Sequence, residues 1–134
     1  MPDDTLRDQL TAVCEFTTDS HHLVREMLTR IGDKWSISAI VVLAEGTHRF
    51  TELQDRIPGI SHRVLTVVLR SLEADGLVAR QDFGGVPRRV EYQLTSLGVS
   101  LLSPMLGLMA WADEHRDEIE SSRSAASASS NALD

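Results

Sequence analysis

The sequence predicts a mainly α, α+β fold: a winged helix-turn-helix with a two-stranded β-wing and a long C-terminal dimerisation helix. Three observations lead there. Residues 61–76 read as a helix with a marked start and stop, one apolar face and one cationic face. A short helical stretch, Arg49–Ile57, precedes it across a Pro58-Gly59 break. After Gly76 the apolar period drops from about 3.6 to 2, around a glycine-rich turn, which is hairpin patterning.

Within residues 61–76, Ser61 is placed to cap the first turn and Gly76 to take the left-handed turn that ends the helix. Leu65, Val68, Leu69 and Leu72 recur at helical spacing and should bury. Ser61, His62, Arg63, Thr66 and Arg70 fall on the other side, with no acid among them before Glu73. A cationic front near a helix N-terminus suits a major-groove reader, because the free amides and the dipole there favour phosphate. A plain amphipathic helix with solvated arginines fits the same residues; the order of elements around it favours the groove reader.

The remaining elements follow in chain order. Asp4–Val13 predicts a short helix and Cys14–Asp19 a loop, together an N-terminal arm over residues 1–20. Cys14, the single cysteine, excludes an internal disulfide; it is a candidate redox thiol, although no neighbouring group lowers its pKa. His22–Ile31 predicts a helix with Leu23, Met27, Leu28 and Ile31 on one stripe, followed by a turn over Gly32–Ser36. His21 and His22 point apart on a helix and cannot share a metal. Ser36–Ala44 is apolar nearly all round and predicts the central buried helix, with Trp35 as a core anchor at its start. Leu77–Asp82 and Arg89–Leu94 predict strands joined by a turn over Phe83–Pro87, a wing whose tip carries Arg88 and Arg89.

Thr95 predicts the cap of a last helix reaching about Ile119, kinked at Pro104. Its apolar face, including Leu101, Met105, Leu108, Met109 and Ala112, is wider than one small domain readily covers, so it predicts a homodimer seam. Trp111 belongs to that seam or to the core. Residues 120–134 are Ser/Ala-rich and poor in apolar anchors, and are expected to be a disordered tail, leaving 21–119 as the folded domain.

Composition sets the outer bounds. The chain has 134 residues, 42% hydrophobic, enough for one domain with a core. No run of about 18 apolar residues is present, so no membrane span is expected. The N-terminus, Met1-Pro2-Asp3-Asp4, lacks the basic-then-apolar pattern of a secretion signal, so a cytoplasmic location is expected. The net charge of −7 speaks against a nucleic-acid binder until its distribution is considered: residues 1–20 carry −4, residues 95–134 carry −4, and residues 21–94 carry +1. Only the field at the binding face decides phosphate contact. The histidines, Cys14 and the carboxylates show no metal spacing, nucleophile elbow or phosphate-binding glycine loop, so neither an enzyme nor a cofactor is expected.

Taken together and in order, Ile31-Gly32-Asp33-Lys34-Trp35, Arg49-Phe50-Thr51-Glu52-Leu53, Pro58-Gly59-Ile60-Ser61, Leu72-Glu73-Ala74-Asp75-Gly76-Leu77-Val78 and Val86 to Thr95 resemble the HxlR-type winged helix-turn-helix regulators, which are MarR-like. The resemblance covers roughly residues 22–119. It implies a bacterial or archaeal cytoplasmic homodimer, joined by its first and last helices, that binds an inverted repeat in double-stranded DNA and controls transcription, with repression the expected sense. On that reading Ser61, His62, Arg63, Thr66, Val67 and Arg70 meet the major groove, Arg88 and Arg89 hold flanking backbone, and Arg49 adds a phosphate contact. Many members of that family carry Cys-Pro at the start of the first helix, where this chain has His22-Leu23. Val67 stands where relatives usually have a polar residue, which points to a thymine methyl rather than a hydrogen bond. A small-molecule effector between Trp35, the last helix and the partner subunit is an open alternative, as is a winged-helix protein-interaction module that binds no DNA.

Overall fold

The computed structural model describes residues 4–14 and 18–133. Two helices, α1 (Asp4–Cys14) and α2 (Thr18–Gly32), lead to α3 (Lys34–Ala44). A two-residue strand, β1 (His48–Arg49), then runs directly into α4 (Phe50–Arg56). Helix α5 (His62–Ala74) is followed by strands β2 (Val78–Gly84) and β3 (Arg89–Leu94). Helices α6 (Ser96–Glu114) and α7 (Arg116–Leu133) close the chain.

Helix α3 is the hub. The Asp33 carboxylate accepts from the Ser36 backbone N–H at 3.0 Å and from its hydroxyl at 2.7 Å, which starts the helix two residues before the expected Ser36. Ala39, Ile40 and Leu43 of α3 are buried with Leu53 of α4, Leu65, Leu69 and Leu72 of α5, Val78 of β2 and Tyr92 of β3. Trp35 packs half-buried against this core, with the Lys34 ammonium 4.6 Å from the centre of its ring.

The sheet has three strands in the order β1-β3-β2, all antiparallel, where the sequence predicts two. The extra strand pairs His48 with Tyr92 and Arg49 with Glu91. Two residues are too few to show a period of two, which is why it escapes pattern reading. The hairpin register pairs Val78 with Leu94 and Arg80 with Tyr92, and an irregularity between Asp82 and Gly84 lets the turn close.

The C-terminal region departs from expectation in three ways. The helix expected to reach about Ile119 contains Pro104 as expected but ends at Glu114, where the His115 backbone closes α6. Met105, expected at the dimer seam, is 1% exposed and belongs to the protomer's own core, because its turn of α6 faces the helical layer. The Ser/Ala-rich stretch beyond Glu120, expected to lack order, is helical to Leu133; its alanines carry high helix propensity, although residues 121–131 are exposed. At the other end, Thr18 and Asp19 already belong to α2, and residues 15–17 of the expected loop lie outside the described residues. Cys14 ends α1, and its side chain, with any redox role, also lies outside them.

Candidate nucleic-acid interface

The helix pair and the turn between them set the geometry of the site. Pro58 and Gly59 occupy the central positions of a turn in which the Ile60 N–H donates to the Ile57 carbonyl at 3.3 Å. Gly59 has φ +82°, a conformation that a side chain would strain, so proline followed by glycine suits this turn. Ile57 and Ile60 are buried at its two ends, fixing α4 against α5.

Helix α5 starts and stops where its residues predict. The Ser61 hydroxyl oxygen accepts from the Val64 N–H at 3.1 Å. At the far end the Leu77 N–H donates to the Leu72 carbonyl at 3.0 Å and the Gly76 N–H to the Glu73 carbonyl at 2.9 Å, with Gly76 at φ +77°. That is the paired-bond helix stop that glycine permits. Leu65, Val68, Leu69 and Leu72 are buried, so the opposite face must point outward.

Ser61, His62, Arg63, Val67 and Arg70 are all exposed on α5, and Thr66 is half-buried. Val67 leaves 58% of its surface open, so its methyl groups face outward beside Arg63 and Arg70. The Thr66 hydroxyl donates to the His62 carbonyl at 2.8 Å, which leaves its oxygen as an acceptor toward solvent. The His62 ring lies 4.5 Å from the Phe50 ring, tilted by 45°, so α4 fixes its direction. Arg63 and Arg70 make no ion pair among the described residues.

The wing-tip arginines differ in this respect. Arg88 grips Asp82 through Nε at 2.7 Å and through a second guanidinium nitrogen. That bond, helped by the Gly84 N–H, holds the Asp82 carboxyl below its usual range and raises Arg88 in return. Arg89 pairs with Glu91 at 2.6 Å and lies over the Phe83 ring, 5.1 Å from its centre. Each is therefore matched to a carboxylate in the protein alone. Arg49 is exposed on β1, opposite Glu91, and its backbone N–H meets the Glu52 carboxylate at 3.4 Å.

Between α5 and the wing lies an open cleft of about 490 Å³. His62, Thr66, Arg70 and Glu73 line it from the helix, and Arg80 lines it from β2. Arg80 is absent from the cationic positions expected from sequence. The signal was there: Arg80 alternates with Val78 along β2 and pairs across the sheet with buried Tyr92, so it shares their helix-facing side.

The apolar surface is concentrated elsewhere. Leu23, Val24 and Leu28 of α2 are exposed, as are Leu97, Leu106, Leu108, Met109 and Trp111 of α6, and Ala112 beside them. Met27 and Leu101 are partly buried against the core. No helix among the described residues is long and apolar enough to cross a membrane.

A chain with this order of elements and this outward helix is a helix-turn-helix protein. Residues 30–120 match the HxlR-like helix-turn-helix family. Bacillus subtilis (strain 168) YybR, an uncharacterized HTH-type transcriptional regulator, is 42% identical over 94 residues, which span 70% of this chain and 75% of that one. Escherichia coli (strain K12) YtfH, described in the same words, is 37% identical over 95 residues, 71% of this chain and 75% of its own. A solved structure assigned to the MarR family of transcriptional regulators, from Enterococcus faecalis V583, superposes with a TM-score of 0.66 at 39% identity, over 77% of this chain and 94% of that one. The chain belongs to the HxlR-like helix-turn-helix family of transcriptional regulators.

Proposed function

We propose that the protein binds an inverted-repeat operator in double-stranded DNA as a cytoplasmic homodimer and regulates transcription there, with repression the expected sense and no catalytic step. The observation that carries this reading is the unpaired guanidinium of Arg63, one turn into a capped helix whose opposite face is fixed in the core. Arg63 reads a guanine edge, and Val67 packs on a thymine methyl. Ser61, His62 and Thr66 offer hydrogen-bonding groups along the same edge of the groove, and Arg49 contacts phosphate. Arg88 and Arg89 reach flanking backbone when they exchange Asp82 and Glu91 for phosphate, so their contribution is smaller than that of an unpaired arginine. The seam comprises Leu23, Leu108, Met109 and Ala112, with Met27 and Leu101 at its inner edge.

Selection of bound DNA from a random pool by the full chain tests this. A two-fold-symmetric consensus with half-sites about one helical turn apart is expected. A folded dimer that enriches no sequence at low salt would instead be a protein-interaction module.

A further inference from the structure

We infer that the cleft between α5 and β2 is the seat of a DNA backbone phosphate, held by Arg70 and Arg80 together, with Arg80 acting purely on the phosphodiester charge. The inference rests on the DNA-binding reading above. If α5 lies in a major groove and the hairpin tip reaches the adjoining minor groove, one phosphate strand separates the two grooves. That strand must cross the gap between helix and hairpin, which is this cleft.

The cleft has the chemistry for it. Arg70 and Arg80 both line it, and neither makes an ion pair among the described residues, although Glu73 lines the same space. Five other arginines are matched, Arg30 with Asp75, Arg56 with Glu45, Arg88 with Asp82, Arg89 with Glu91 and Arg116 with Asp113, whereas Arg25, Arg49, Arg63 and Arg123, like the cleft pair, make no ion pair among the described residues. In a chain of net charge −7, two guanidinium groups against one carboxylate make the cleft a local positive well. A guanidinium also presents a planar fork of donors that suits phosphate oxygens. Thr66 cannot compete for this role, because its hydroxyl proton is already committed to the His62 carbonyl.

The position of Arg80 makes it separable from base reading. It stands on the edge strand β2, and its cross-strand partner Tyr92 is buried and itself paired with His48 of β1. Its side chain is exposed, so its removal leaves the core untouched.

The test uses the full chain and the DNA recovered by the selection above, with binding followed by fluorescence anisotropy over a salt series. Arg80→Ala is expected to weaken binding about ten-fold near 0.1 M salt, on the selected site and on scrambled DNA alike. The slope of log affinity against log salt should fall by about one. Arg80→Lys should keep the slope. Replacing successive phosphates between the half-site and its flank with neutral methylphosphonate should reveal one position that weakens the wild type more than Arg80→Ala and leaves an Arg70→Ala, Arg80→Ala double variant unchanged. An unchanged slope in a folded Arg80→Ala protein that still selects its site overturns the phosphate seat and leaves the function standing. A loss confined to the selected site overturns it too, by making Arg80 a base reader. A wild type that binds no DNA overturns both.

Discussion

At the scale of single residues, Arg63 on α5 and Gly98 on α6 make opposite demands. Arg63 has no competing partner among the described residues, so its removal exposes no orphaned acid and the whole effect appears in binding. Arg63→Ala is expected to cost about 1–3 kcal/mol on the selected site and to relax preference at one base pair, measured by competition titration. Gly98 makes the opposite kind of demand. A methyl there would press on the Leu77 carbonyl, which is itself bonded to the Thr95 N–H, so backbone rather than a flexible side chain would have to move. Gly98→Ala should lose about 1–3 kcal/mol of stability in denaturant titration, with DNA contacts otherwise intact. These residues differ in legibility. Arg63 stands out from its neighbours in sequence. Gly98 looks like an ordinary weak helix residue until Leu77 is seen across from it.

Among the elements, α5 is the most legible because every local signal agrees: a serine cap, an inner face of three leucines and a valine, and a glycine stop. The wing was legible as a hairpin but not as an electrostatic object. Arg88 and Arg89 look available in sequence, but Asp82 meets Arg88 across the turn, and Glu91 meets Arg89 from two residues along the same side of β3. The pairing has a pH signature. Asp82 is held below its usual value of 3.8, so what it adds to the wing is fully present above that value and disappears as pH falls through the lower folded one. Arg88 is raised from an already high value, so it stays charged throughout this window. Amide chemical shifts of Gly84 and its neighbours should therefore hold steady down to about pH 4 and move below it, and Asp82→Asn should abolish that transition. Helix α6 was misjudged at one point, Met105, because helical spacing gives a face but not the width of the neighbour that covers it. The break at His115 carries no signal in the sequence, because the helical spacing runs on through Ala112, His115 and Ile119.

For the whole molecule, the exposed apolar side chains of α2 and α6 set the expectation of a second copy. Leu108 and Met109 are exposed in the protomer, so charging them leaves the core intact. A Leu108→Glu, Met109→Glu double variant should sediment as a folded monomer, with affinity for the full inverted repeat falling by two or more orders of magnitude on the order of an avidity loss. Its affinity for an isolated half-site should change little. An unchanged sedimentation coefficient would place the seam elsewhere. The overall charge was the most misleading whole-chain quantity, since −7 describes the ends and not the reading face. The two-residue strand β1 has a further bearing on how such a dimer behaves. By stitching the root of α4 to β3, it welds the reading helices and the flap into one jaw with no joint of its own. If the protein reads an inverted repeat as the proposed dimer, operators whose half-sites are set closer or wider are met by one protomer rolling against the other, and tolerance for spacer length is governed by the contact between copies, not by the parts that touch DNA.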